Sequence, residues 1–246
     1  LATVLTDSIS INRTWLEGPS ELFLASDELT ALSVAVQGVA EEKIVVTGFP
    51  TPIGFEHDAP ARTGPRPPGA PVSVLWLTDQ DRGPLVRLLD GLGAVAELRL
   101  VLAVGRRPKL AEALRSLAPR WRFTLEVVEW EPGISRRMPG MDLVITKAGG
   151  ATVHEALAAG CPVLIYRVTP GQEEGNAHLV EANDLGRVAH HDRELGRILA
   201  ELQAEGFAAL EPLRAHVERF RRPGAAAHIA RIAAALVQQK QEEIQR

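Results

Sequence analysis

The residues best suited to chemistry lie between Asp142 and Asn176. Asp142-Leu-Val-Ile-Thr-Lys-Ala-Gly-Gly-Ala-Thr-Val-His-Glu155 reads as a strand, a glycine turn and a helix. Gly160-Cys-Pro-Val-Leu-Ile-Tyr166, followed by Pro170-Gly-Gln-Glu-Glu-Gly-Asn176, repeats that order. Each turn puts free backbone N–H groups and a carboxylate at the start of a helix. The first N–H groups of a helix have no partner within it, and the macrodipole adds positive potential, so such turns attract anions. A nearby carboxylate can accept hydrogen bonds from a vicinal diol. Diphosphate plus ribose is the ligand this pattern suggests, and a sugar nucleotide carries both.

Each of these residues also has a plainer reading. Gly149 and Gly150 could form a tight turn with no ligand, or remove the Cβ atoms that would keep a phosphate from the backbone. Thr152-Val-His-Glu155 fits a capping box, in which Glu155 reaches back to a backbone N–H. The alternative for Glu155 is a carboxylate on the ribose hydroxyls. Glu173 and Glu174 complement a helix dipole, whereas Gln172 and Glu173 together suit a sugar. His154 reads as packing or surface, and Cys161 as a small buried hydrophobe. Asp79-Gln-Asp81 has the spacing of a metal-binding pair but reads more simply as a turn. Arg214, Arg219, Arg221 and Arg222 read as a solvated face, with a phospholipid patch as the alternative.

The elements that must position these residues alternate along the chain. Strands are expected over Thr3–Thr6, Leu22–Ala25, Ile44–Thr47, Val72–Leu77, Arg99–Val104, Thr124–Val128, Leu143–Thr146, Val163–Tyr166 and Arg187–Ala189. Helices are expected over Asp27–Gln37, Leu85–Leu92, Pro108–Leu117, Thr152–Ala159, Glu173–Asn183, Arg193–Ala204, Ala208–Phe220 and Ala225–Gln239. This alternation predicts an α/β fold with a parallel sheet covered on both faces. Residues 59–71, dense in proline and glycine, read as a linker. Leu1-Ala-Thr-Val-Leu-Thr6 reads as a buried strand with nothing before it, which predicts that the chain begins inside a domain.

Composition excludes several classes. Of the 246 residues, 46% are hydrophobic and 24% charged, as in ordinary globular proteins. The net charge of −4 gives no global attraction to nucleic acid. A single cysteine excludes an internal disulfide framework and fits a reducing compartment. With no apolar run of transmembrane length and no signal peptide, the expected location is cytoplasmic, at most peripheral on a membrane.

With these residues assembled, the chain resembles glycosyltransferases of the monogalactosyldiacylglycerol synthase and processive diacylglycerol glycosyltransferase group. It is more distantly similar to the N-acetylglucosaminyltransferase that completes the peptidoglycan lipid precursor. Asp142–Gly150, Thr152–Glu155, Gly160–Pro162 and Gly171–Asn176 carry the match. So does Thr6-Asp7…Trp15…Ser26-Asp-Glu-Leu…Gly38-Val…Lys43-Ile-Val-Val-Thr-Gly-Phe-Pro50. The resemblance implies a GT-B fold of two facing Rossmann-like domains. Residues 1–58 would be the tail of the first, or acceptor, domain. Residues 72–224 would be the nucleotide-sugar domain and 225–246 a closing helix.

The resemblance also implies an inverting, metal-independent transfer of a hexose from a UDP-hexose to a diacylglycerol-like lipid, with no cofactor besides the donor substrate. Gly149, Gly150 and Thr152 would face the diphosphate and Glu155 the ribose. Gln172 and Glu173 would contact the hexose, with Asn176 supporting that turn. The general base would lie in a preceding segment, so this chain would bind donor better than it catalyses.

Two departures stand out. Thr78-Asp-Gln-Asp-Arg-Gly83 replaces the family's glycine-rich loop, and Asn12 stands where many relatives carry His. Aspartates there would repel a diphosphate unless the loop stands away or Arg82 compensates. A non-catalytic nucleotide-sugar-binding module and a sugar-nucleotide epimerase are the alternative functions.

Overall fold

The computed structural model describes residues 1–52, 66–67, 69–92 and 97–245. Most of the expected linker falls outside them.

A six-stranded sheet is built from β4 (Val72–Leu77), β5 (Leu98–Gly105), β6 (Thr124–Glu129), β7 (Leu143–Thr146), β8 (Val163–Tyr166) and β9 (Gly186–Ala189). All its pairings are parallel, in the order β6-β5-β4-β7-β8-β9. Starting from β4 as the first strand, that is the doubly wound order 3-2-1-4-5-6, with its switch point between β4 and β7.

Successive side chains of a strand face opposite sides, so each strand feeds two cores. Val74, Trp76, Leu100, Leu102, Leu143, Ile145, Leu164 and Tyr166 enter one core. It is closed by α2 (Arg82–Gly91), α3 (Pro108–Leu117) and α6 (Asp192–Ala204). Leu75, Val101, Val144, Val163 and Ile165 enter the other, under α4 (Gly150–Ala158) and α5 (Gln172–Ala182). Covering both faces lets the strands run almost uninterrupted in apolar residues.

A smaller parallel sheet, β1-β2-β3, precedes it: β1 (Ala2–Val4), β2 (Leu22–Ala25) and β3 (Ile44–Val46), with α1 (Glu28–Val36) packed against it. Asp27 caps α1 by accepting from the Thr30 N–H at 2.9 Å. The core here is small: Leu5, Ile11, Phe23, Ala25 and Val34. The expectation of a fully buried first strand is not met, because among the described residues β1 is an edge. Leu1 is 62% exposed and only Leu5, past the strand, is buried.

Two closing helices, α7 (Leu210–Phe220) and α8 (Ala225–Ile244), return the chain to this first unit. Arg222 pairs with Glu28, and Lys240 with Glu21 at 2.5 Å. Gly48 lies so close to α8 that a Cβ there would sit 2.9 Å from the Cβ atoms of Ala225 and Arg222.

Arg214 corrects the reading of a solvated basic face. It is 5% exposed, donates to the carbonyls of Gly160 at 3.0 Å and Met141 at 2.8 Å, and lies 3.6 Å from Asp142. Asp142 in turn accepts from the Ser73 N–H at 2.8 Å, so the pair ties α7 to β4 and β7. Cys161 is the small buried hydrophobe expected, its thiol pushed up to about 12 by burial.

Candidate functional site

Parallel strands deliver their carboxyl ends to one edge of the sheet, and a ligand crevice forms where the strand order reverses. A cavity of about 300 Å³ lies there. Thr78 and Asp79 after β4, Trp130 after β6, Thr146 and Lys147 at the end of β7, and Tyr166 of β8 line it. Thr152, in the first turn of α4, also lines it.

The helix starts bear on the capping-box reading of Glu155. The structure begins α4 at Gly150, with Gly149 as its N-cap and no side-chain hydrogen bond capping it. Thr152 therefore sits inside the helix and Glu155 a turn further on, which overturns the capping-box reading. Glu155 is half-buried, and burial raises its carboxyl above the usual range against the opposing hydrogen bond of Ser135. It does not line the cavity.

Gly149 has open space around it, a Cβ meeting only the Lys147 side chain at 3.7 Å. Packing therefore does not demand glycine there. Gly150 differs: a Cβ would stand 3.2 Å from the Thr6 carbonyl oxygen and 3.4 Å from the Asn176 amide nitrogen. Part of the glycine signal thus reflects close packing of residues 6–10 on α4 and α5.

The second turn is tied to the first. Glu173 accepts from the Thr169 N–H at 3.1 Å and from Lys147 at 3.2 Å. Burial pushes its carboxyl up, but these hydrogen bonds outweigh that and hold it below the usual range. Asn176, 2% exposed, donates to the Ala148 carbonyl at 2.9 Å and so braces the β7–α4 turn. Gln172 opens α5, and its side chain lies outside what the structure describes.

His154 faces away from the cavity. Its Nε2 is 2.8 Å from the Ser8 hydroxyl, and its ring stacks on Phe49 at 4.2 Å. Burial pushes its imidazole down to about 4, partly opposed by Asp27. It is a packing residue, joining α4 to the first unit.

The loop after β4 does not stand away, since Asp79 lines the cavity. The cation near it is Arg167, at 4.0 Å, rather than Arg82, which begins α2. Asn12 is engaged locally, its side-chain oxygen accepting from the Thr14 N–H at 3.0 Å. Among the described residues no group of three or more His, Cys, Asp or Glu side chains could hold a metal, and no helix is long and apolar enough to cross a membrane.

Sequence reading missed Trp130. It is 57% exposed beside the cavity, with the Arg106 guanidinium 4.7 Å above its ring. A large exposed aromatic at a strand's carboxyl end was the available signal.

No family model matches the sequence. Curated relatives do. Monogalactosyldiacylglycerol synthase 3 of Arabidopsis thaliana is 28% identical over 97% of this chain and 54% of its own. The processive diacylglycerol beta-glucosyltransferase of Staphylococcus carnosus is 28% identical over 82% of this chain and 53% of its own. The chain therefore spans about half the length of the curated relatives it matches. Among solved structures, Acinetobacter baumannii MurG superposes with a TM-score of 0.68 at 13% identity, covering 94% of this chain and 65% of that one. In sequence the chain is thus similar to monogalactosyldiacylglycerol synthases and processive diacylglycerol glucosyltransferases, and its fold is the GT-B fold.

Proposed function

We propose that the chain holds the donor side of a glycosyltransferase that moves a hexose from a UDP-sugar to the hydroxyl of a diacylglycerol-like lipid, with inversion and without a metal. The observation that carries this is the cavity at the switch point, lined by Trp130, Lys147 and Thr152, the last in the first turn of a helix whose start has no side-chain cap. An aromatic face suits a base, and a helix N-terminus with a lysine suits a diphosphate.

In this reading Gly149, Gly150 and Thr152, at the start of α4, receive the diphosphate. They stabilise the charge that grows on it as the glycosidic bond breaks, the work a metal does elsewhere. Glu155 is assigned to the ribose hydroxyls. Gln172 and Glu173 are assigned to the hexose, with Lys147 fixing the carboxylate of Glu173. The attacking lipid hydroxyl and the base that deprotonates it belong to the acceptor side of the cleft. Peripheral attachment to the cytoplasmic face of a membrane is part of the same proposal, because the acceptor is a lipid.

The test is calorimetric titration of the chain with UDP, against GDP and ADP as controls, and of Glu155→Ala. Saturable UDP binding that the substitution abolishes is the expected result. A folded native chain that does not bind UDP overturns the donor-site reading. Turnover by a longer form carrying the acceptor side should require lipid, whereas an epimerase would convert the donor alone and a binding module would convert nothing.

A further inference from the structure

Several backbone groups of the turn between β4 and α2 find their hydrogen-bond partners within the protein. The Asp79 N–H donates to the Tyr166 hydroxyl and the Gln80 N–H to the Thr78 hydroxyl, both at 3.1 Å. The carbonyls of Thr78 and Gln80 both accept from the Arg107 guanidinium, the second at 2.7 Å. Arg107 is itself fixed by donating from Nε to the Val104 carbonyl at 2.8 Å. The Gln80 side chain, fully buried, donates to Asp192 at 2.9 Å.

A phosphate cradle needs free N–H groups aimed at the ligand. Two of the N–H groups at this turn are already taken. The turn offers the cavity a carboxylate in their place, and that carboxylate is oriented. Its Oδ1 lies 3.2 Å from the Tyr166 hydroxyl, which also approaches the Leu77 carbonyl at 3.0 Å. Arg167 bridges Asp79 and Asp192 at 4.0 and 3.7 Å. Its backbone sits at φ 55, a left-handed conformation that is uncommon outside glycine and tends to mark functional sites. The Asp79 side chain remains 59% exposed toward the cavity.

Resting on the donor-site reading above, we propose that this turn reads sugar hydroxyls instead of phosphate. Asp79 is then a specificity-determining acceptor for the hydroxyls of the transferred hexose. Tyr166 and Arg107 are positioning residues that hold it there. A carboxylate accepts from two neighbouring hydroxyls at once and carries no donor, so it repels diphosphate while rewarding a neutral polyol. The diphosphate is then gripped from the α4 side alone. The hexose lies between Asp79 and the Lys147–Glu173 pair.

The test compares UDP with UDP-glucose and UDP-galactose by calorimetry, on the native chain, Asp79→Asn and Tyr166→Phe. Asp79→Asn is expected to weaken the preferred UDP-hexose about tenfold, the order of a hydrogen bond to a charged group, while leaving UDP unchanged or tighter. Tyr166→Phe should move the same ratio in the same direction by less, which a purely structural role would not do. If either substitution changes UDP and UDP-hexose by one common factor, the assignment of Asp79 is overturned and the donor site stands. If the native chain binds neither ligand, the donor-site reading fails, and this assignment with it.

Discussion

A β-carbon on Gly175 would lie 1.8 Å from the carbonyl oxygen of Ser8. The same carbon would stand 2.7 Å from the Ser10 nitrogen, so residues 8–10 press on the first turns of α5 with no room for a methyl group. Gly175→Ala should cost about 2–4 kcal/mol, because backbone and not a flexible side chain must move. Gly150→Ala, with its nearest atom at 3.2 Å, should cost less than half of that. Urea unfolding of the two variants checks the order.

His154 makes the junction sensitive to acid. Its folded-state pKa of about 4 lies below the ordinary histidine value of 6.5, so the unfolded chain binds the proton more readily between those values. Its contribution to stability is present above pH 6.5 and is lost as pH falls toward 4. Between pH 7 and 5 the loss should be about 2 kcal/mol. His154→Gln should flatten that part of the pH profile of unfolding.

Arg214 and Arg219 should separate sharply. Arg214→Met removes the buried ion pair with Asp142 and the donors to the Gly160 and Met141 carbonyls, and should cost about 3–5 kcal/mol. Arg219→Ala, on the exposed side of the same helix, should stay within about 0.5 kcal/mol. Thermal unfolding of both variants distinguishes the buried anchor from the solvated residue.

Trp130 gives the most direct optical test of the cavity. Trp130→Ala should lower UDP affinity by about 1–2 kcal/mol, the order of an aromatic stacking contact together with its area burial. It should also remove the UDP-dependent part of the tryptophan fluorescence change. An unchanged affinity would place the base away from this ring.

The strand assignments were legible because parallel strands buried on both faces leave unbroken apolar runs, and Val72–Leu77, Leu143–Thr146 and Val163–Tyr166 appear over the residues expected. Helix starts were less legible. Thr152 and Glu155 mimic a capping box, yet α4 starts at Gly150 because the strand ends at Thr146 and the turn is short. α2 likewise starts at Arg82, three residues before the expected Leu85. Arg214 was misread because a buried arginine is uncommon, and only its partner Asp142, far off in sequence, makes one tolerable. The locked β4–α2 turn could not be read from the chain at all. Its bonds come from Arg107 and Tyr166, on two other strand ends.

The Arg222–Glu28 contact joins residues 194 apart in the chain. At ordinary synthesis rates that separation amounts to roughly 10–40 s between the two residues leaving the ribosome. Before that contact forms, the first unit is held by its own small core, around Phe23 and Val34, and by the contacts of Ser8 and Phe49 with His154. The strap that fastens it arrives last. Nascent chains stalled before α8 should therefore show β1 to β3 more open to protease than the six-stranded sheet.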